Sequence, residues 1–153
     1  PGTAIISATA GTATANATVT VGDGGYVTST GGTISALAGQ VQLIVPANAI
    51  TTPTAFTVRT VSAPPASARL LANTAVIIEP SVTFATAATL RLRYATPLAP
   101  DVVETQLRLA RLDGGSWQEA PVRVVDRTNR RVTALTTSSG TWAVFVPPPS
   151  LRS

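Results

Sequence analysis

The sequence predicts an all-β antiparallel β-sandwich with an N-terminal β-strand extension. Three observations carry that expectation. Short runs rich in Val, Ile, Leu and Thr alternate apolar with polar residues and are separated by Gly, Pro, Asn and Asp, the pattern of many short strands joined by turns. No window of about a dozen residues carries the apolar stripe at i, i+3, i+4 that a helix requires. The 153 residues include 25 Ala and 25 Thr, only 12% are charged, and mean hydropathy is +0.30. Yet no run approaches the roughly 18 apolar residues of a membrane helix, so the apolarity belongs to packed strands or to contacts with neighbours.

The elements follow in order. Ala4 to Ala8 reads as a strand. Ala15 to Val21 alternates, with Ala17, Val19 and Val21 facing one way and Asn16, Thr18 and Thr20 the other. Gly22, Asp23, Gly24 and Gly25 form a flexible break. Tyr26 to Ser29 is a short strand and Gly31-Gly32 a turn. Thr33 to Ala36 and Gln40 to Val45 pair through Gly39, with Val41, Leu43 and Val45 on one face until Pro46 ends the strand. Phe56 to Val61 follows, with Phe56 and Val58 inward. Ala63 to Ala66 is a loop. Thr74 to Glu79 is apolar enough to be central and is punctuated by Pro80 and Ser81. Thr89 to Tyr94 points Leu90, Leu92 and Tyr94 inward and Arg91 and Arg93 outward. Thr105 to Leu112 is a strand that turns at Asp113-Gly114-Gly115 before Trp117. Val122 to Val125 and Val132 to Leu135 flank the turn Asp126 to Arg131 as a hairpin. Thr141 to Val146 closes the fold, because the three prolines 147–149 cannot continue a ladder. The chain divides into an extension and hinge over 1–25, a sandwich over 26–147 and a Pro-rich tail over 148–153.

From Gly31 onward the order of motifs resembles the zonula-occludens/uncoordinated-five type domains of scaffold, receptor and bacterial surface proteins. Gly31-Gly32-Thr33-Ile34 matches the opening Gly-Gly turn and strand. Val41 to Ile50 matches the strand ending in Pro-x-Gly-Ala, with Asn48 where the family has Gly; Asn tolerates a left-handed backbone better than most residues. Val76 to Pro80, Phe84 and Leu90 to Tyr94 resemble the middle of the family. Leu107 to Leu112, Asp113-Gly114, Trp117, Val132 to Leu135 and Trp142 to Phe145 resemble its last third. The resemblance implies an antiparallel sandwich with an interaction role. Some relatives cleave themselves at His-Phe-Ser; here the stretch is Ser138-Ser139-Gly140, without the His and with Gly in the nucleophile's place. Gly2 to Val21 lies outside the match and resembles the last two strands of a bacterial Ig-like repeat.

The missing residue types narrow the chemistry. There is no Cys, His, Met or Lys, and all 11 positive charges are Arg against 7 acids. That excludes a disulfide framework, a thiolate nucleophile, a Cys/His zinc site, a Ser-His-Asp triad and a Schiff-base lysine. The pI near 11.1 reflects the high pKa of Arg more than the net charge of +4. Low charge, abundant Thr and absent Cys suit an extracellular, bacterial-surface protein. A start at Pro1 with no signal-peptide pattern reads as a processed product or excised segment. The all-Arg, Pro-rich composition suits a durable polymer and a hot habitat, although high-GC coding produces the same bias.

Several constellations carry a functional and a plain reading. Asp101 with Glu104, or Asp113 with Glu119, would serve a two-carboxylate hydrolase, but each pair lies beside a turn, where acids are commonly solvated. Glu79 on its apolar strand pairs with a strand arginine or marks the strand's wet end. Gly22-Asp23-Gly24 offers calcium one carboxylate, a poor start for six to eight oxygens. Arg127, Arg130 and Arg131 at a hairpin tip, with Arg91, Arg93, Arg108 and Arg111 on strands, would touch nucleic acid, but no aromatic platform accompanies them, and such arginines also guard sheets against wrong pairing. Trp117, Trp142, Tyr26 and Tyr94 would stack on glycans if exposed; the Trp positions suit a sandwich core.

The N-terminal strands carry the sharpest expectation. Ala4, Ile5, Ile6, Ala8, Ala17, Val19 and Val21, swung on a hinge at Gly22, Gly24 and Gly25, suit donation to a neighbour's sheet, and a head-to-tail repeat of that contact makes a filament. The alternative is that these strands pair within their own chain or belong to an upstream repeat. The function expected is non-enzymatic: an extracellular or cell-surface structural module bound to copies of itself or to adjacent domains of the same surface protein. No catalytic residue, metal or cofactor is expected, nor nucleic-acid binding or membrane insertion. The runner-up is a glycan- or protein-ligand-binding module of a larger surface protein.

Overall fold

The computed structural model of the chain describes residues 2–21, 23–67, 69–120 and 122–146. The strands are β1 (Gly2–Ala10), β2 (Ala13–Val21), β3 (Gly24–Val27), β4 (Gly32–Ala36), β5 (Val41–Val45), β6 (Thr54–Thr60), β7 (Val76–Arg93), β8 (Arg108–Asp113), β9 (Ser116–Glu119), β10 (Val122–Asp126) and β11 (Arg131–Phe145). Every pairing is antiparallel. A 3-10 turn at Glu104–Gln106 is the only helical element among the described residues.

Two long strands organise the sandwich. β7 and β11 pair from Arg93↔Arg131 to Val76↔Trp142. The first part of β7 also pairs with β6 and the last part with β5. β8 flanks the C-terminal half of β11, and β10 flanks the N-terminal half. One layer is therefore β3-β6-β7-β11-β8-β9 and the other β4-β5-β7-β11-β10, with β7 and β11 bending from one into the other. Strands that switch sheets through bulges make such corners.

The corner corrects one expectation. Thr74 to Glu79 and Thr89 to Tyr94 were to be separate strands divided at Pro80, and Val132 to Leu135 and Thr141 to Val146 likewise separate. Instead each pair is one continuous strand. The β7/β11 register shifts between Thr136 and Ser138 and again between Ser138 and Gly140, so that Ser138 faces Thr83 while Gly140 faces Ile78. Pro80 sits in that irregularity, where its missing N–H leaves no ladder bond unmade. Ser139 spans the gap: its Oγ accepts from Val82 N at 2.8 Å and donates to the Pro80 carbonyl at 2.7 Å. Gly140 supplies the bend with φ at 124°.

The core lies between the layers. Phe56, Val58, Val76, Ile78, Leu109, Trp142 and Val144 face Ile34, Val41, Leu43, Leu90, Leu92, Val132 and Ala134 in one cluster. This is the inward set expected from alternation on the strands around Leu43, Phe56 and Leu90. A second cluster covers the outer face of the first layer: Ala75, Ala110, Ala143 and Phe145 beneath Val61, Leu70 and Trp117. The strand expected from Thr105 begins at Arg108, because Leu107 N–H bonds back to Glu104 to close the 3-10 turn. Asn48 holds φ at 64°, the left-handed backbone anticipated for it. At Gly31, with φ at 85°, a side chain would come within 2.9 Å of Ala47 N, so only Gly fits that turn.

Candidate assembly surface

The N-terminal strands form a hairpin that stands outside both core clusters. β1 and β2 pair only with each other, in the register Ala4↔Val19, Ile6↔Ala17 and Ala8↔Ala15. Thus the expected strands form, and they pair within the chain. Gly11, at φ 63°, opens the two-residue turn. Directly opposed residues share a face. One face carries Ile6, Ala8, Ala10, Ala13, Ala15 and Ala17. The other carries Ile5, Ser7, Thr9, Thr14 and Asn16, with Ser7 Oγ donating to Asn16 Oδ1 at 2.7 Å. Ile5 is 69% exposed and Ile6 59%, so neither face of the ribbon is buried by the sandwich. Ala4, Val19 and Val21 take their places in the same backbone ladder.

The junction differs from the expected hinge. Gly22 lies outside the described residues. Gly24 and Gly25 are not flexible spacers: they pair with Thr57 and Phe56 in β3. A side chain on Gly24 would collide with the Phe56 carbonyl, and one on Gly25 would lie 3.2 Å from Ile34 Cγ1. Asp23 is tied as well, its carboxylate accepting from Leu37 N and its carbonyl from Val58 N at 2.6 Å. The sandwich therefore starts at Asp23, three residues earlier than expected, and any pivot sits before it. With its carboxylate spent on Leu37, Asp23 is a poor cation ligand.

Sheet edges decide what a free hairpin could join. Among the described strands the outer members of the two layers are β3, β4, β9 and β10. β9 carries Glu119 and β10 carries Asp126, whereas Gly24–Val27 and Gly32–Ala36 carry no charge. Charges on an edge discourage pairing, and β3 and β4, joined to each other by the Thr28↔Gly31 bridge, are the outer strands without that guard.

Four of the acids are engaged by arginines. Glu79 pairs with Arg59 at 3.5 Å, Asp113 with Arg111 at 3.6 Å, and Glu119 with Arg69 and, at 3.9 Å, Arg108. Glu104 accepts from Tyr94 Oη at 2.7 Å and Arg127 Nε at 3.0 Å. These two bonds, Tyr94's first, hold its carboxyl below the ordinary value near 4.5. Burial, then the bond to Glu104, pushes the Tyr94 phenol well above its usual range. Asp101 is exposed and outside this group. No cluster of three or more potential metal-ligating acids occurs among the described residues.

Both tryptophans are placed for packing. Trp142 is 2% exposed in the core. Trp117 packs against Phe145 in a tilted pair with ring centroids 5.1 Å apart and donates to the Pro65 carbonyl at 3.1 Å. Tyr26 is exposed on the β3 edge. Beside Trp117's cluster runs an uncharged open groove of about 700 Å³, lined by Val61, Pro64, Leu70, Leu71 and Ala75 among others. The sequence offered no signal for it, because its walls come from an irregular loop. No helix of the described residues is long and apolar enough to cross a membrane. Comparison of the chain with protein-family models and with curated proteins finds no match.

Proposed function

We propose that this chain is a non-enzymatic structural module of an extracellular or cell-surface assembly, joined to further copies of itself through residues 2–21. The observation that carries this reading is the pair of isoleucines, Ile5 and Ile6, held exposed on a hairpin apart from the core. An isolated two-stranded hairpin is marginal in water, and its apolar face gains stability only against a partner. The hairpin carries no charge, so nothing on it opposes close approach to the uncharged β3 or β4 edge of a second copy. Main-chain hydrogen bonds would join the strands, and the Ala-lined face leaves room for close packing. Because the hairpin and the receptive edge are different surfaces, the contact is heterologous and propagates into a filament. The resemblance of residues beyond Gly31 to an interaction-type sandwich agrees with this role.

The test is light scattering and negative-stain electron microscopy of the purified chain, its Ile6→Asp variant and its Ile5→Asp variant. A charge at Ile6 falls on the Ala-lined face and is expected to abolish oligomers, while one at Ile5 falls on the Thr-lined face and weakens them less. A chain that stays monomeric at all concentrations, or assembles equally well with both substitutions, contradicts the proposal.

A further inference from the structure

At one end of the sandwich three turns and a strand end surround an open cleft of about 340 Å³. It is lined by Ala38, Gln40, Asn73, Arg93, Tyr94 and Arg130, among others, and by no carboxylate. We propose that this cleft binds an oxyanion group, sulfate or carboxylate, of an acidic polysaccharide, with Arg93 and Arg130 as the ligating residues. The inference is independent of the hairpin.

Arg59, Arg69, Arg108, Arg111 and Arg127 each have a carboxylate within 4.0 Å. Arg93 and Arg130, the two arginines that line the cleft, have none among the described residues. Arg131 stands opposite Arg93 in the β7/β11 ladder but also opposite Asp126 in the β10/β11 ladder, and with Arg91 and Asp126 it lines a separate cleft. Glu104 feels Arg130 through space, but its oxygens are taken by Tyr94 and Arg127. A bound oxyanion would offset the charge of Arg93 and Arg130, and the planar guanidinium fork matches sulfate and carboxylate geometry.

Of the five non-glycine residues with positive φ among the described residues, Ala38, Asn73 and Arg130 line this cleft and Leu37 adjoins it. Such conformations gather where a site is held in a required shape. The frame is tied by Arg93 N–H to the Gln40 carbonyl at 2.9 Å, Tyr94 N–H to the Arg130 carbonyl at 3.0 Å, and Gln40 Nε2 to the Asn73 carbonyl at 3.2 Å. The turn glycine Gly39 keeps clear the space beside Arg93: a side chain there would meet Arg93 Nη1 at 4.0 Å.

The lining favours a polysaccharide over a nucleic acid. The carboxamides of Gln40 and Asn73 suit sugar hydroxyls. Base recognition on a single strand relies on aromatic stacking, and the one aromatic in the cleft, Tyr94, is 4% exposed with its hydroxyl bound to Glu104.

The experiment titrates the chain with fluorescent heparin and polygalacturonate oligosaccharides, with free sulfate, and with a single-stranded oligothymidylate. Wild type is expected to bind one of the two polysaccharides, more weakly as salt rises, and more tightly than free sulfate or the oligothymidylate. Arg93→Gln/Arg130→Gln should lose about tenfold or more in affinity, as expected for charge-assisted bonds. Arg59→Gln/Arg108→Gln, with the same loss of charge elsewhere, should stay within about twofold, because distant exposed charges are screened. Amide NMR shifts on the unaltered chain should centre on Gly39, Gln40, Asn73 and Arg130, a readout that does not depend on a variant folding. No polysaccharide binding, equal loss in both double variants, preference for the oligothymidylate or free sulfate, or shifts centred elsewhere would each overturn the assignment.

Discussion

Replacing Gly24 with Ala tests where the hairpin ends and the sandwich begins. A β-carbon on Gly24 would lie inside contact distance of the Phe56 carbonyl oxygen and 2.9 Å from its carbon. Both are main-chain atoms of the paired strand, so no side chain can swing aside. Either β3 lifts from β6, losing the ladder from Gly24↔Thr57 to Val27↔Thr54, or both strands shift. Overpacking of this kind costs about 1–3 kcal/mol. For a sandwich of roughly 120 residues, an unfolding entropy of about 2.1 cal/mol/K per residue converts that cost into a fall in Tm of about 4–12 °C. Gly25→Ala is the matched control: its β-carbon meets only the Ile34 side chain at 3.2 Å, which can adjust, so its cost should be smaller. Thermal unfolding followed by circular dichroism gives both numbers. If Gly24→Ala melts within about 2 °C of wild type, or Gly25→Ala is the worse of the two, β3 is not seated on β6 and the glycines are spacers after all.

Three further outcomes are expected. Ser139→Ala removes the group that bridges Val82 N and the Pro80 carbonyl at a position 1% exposed; leaving these groups unsatisfied should cost about 1–3 kcal/mol in urea unfolding, and a change below about 0.5 kcal/mol, within the range of ordinary surface substitutions, would show that the corner holds without it. Glu104 has a lowered carboxyl pKa in the fold, so its contribution is present above the unfolded value near 4.5 and is lost as pH falls through the folded value; Glu104→Gln should flatten that acid limb of a stability–pH curve, and an unchanged limb would show that Tyr94 and Arg127 do not hold the ionised form. Hydrogen exchange should find the β1 and β2 amides nearly unprotected in dilute monomer and protected on assembly, whereas β7 and β11 should be protected in both; protection of the hairpin in the monomer would mean that it is stable without a partner.

Period-two alternation made much of the sandwich legible in the sequence. The inward faces at Leu43, Phe56, Leu90 and Leu92 and the outward Arg91 and Arg93 follow from it. Alternation did not reveal that Pro80 and Gly140 bend strands rather than end them. That outcome depends on a register shift between distant strands and on the Ser139 hydroxyl, neither of which is local. The glycine pair at 24–25 misled for a related reason: close backbone approach and flexibility use the same residue type, and only the position of Phe56 distinguishes them. The hairpin strands were legible, as was the side of the second that holds Ala17; the Ala-lined face they share follows only from their register. Their pairing with one another was one of two open readings, because equal, uncharged edges suit either partner. The arginine cleft was half visible: Arg130 at a tip and Arg93 on a strand could be named, but the β7/β11 register that brings them together and the ion pairs that remove Arg108 and Arg111 could not.

On the proposed reading, residues 2–21 serve assembly and not the fold. Sedimentation velocity on the full chain and on a chain beginning at Asp23, each over a range of concentrations and with melting temperatures measured alongside, tests it most directly. The account predicts that the full chain forms concentration-dependent multimers while the shortened chain is a monomer melting at nearly the same temperature. Equal masses for the two chains would contradict assembly through the hairpin, and a shortened chain that fails to fold would show that the hairpin belongs to the sandwich.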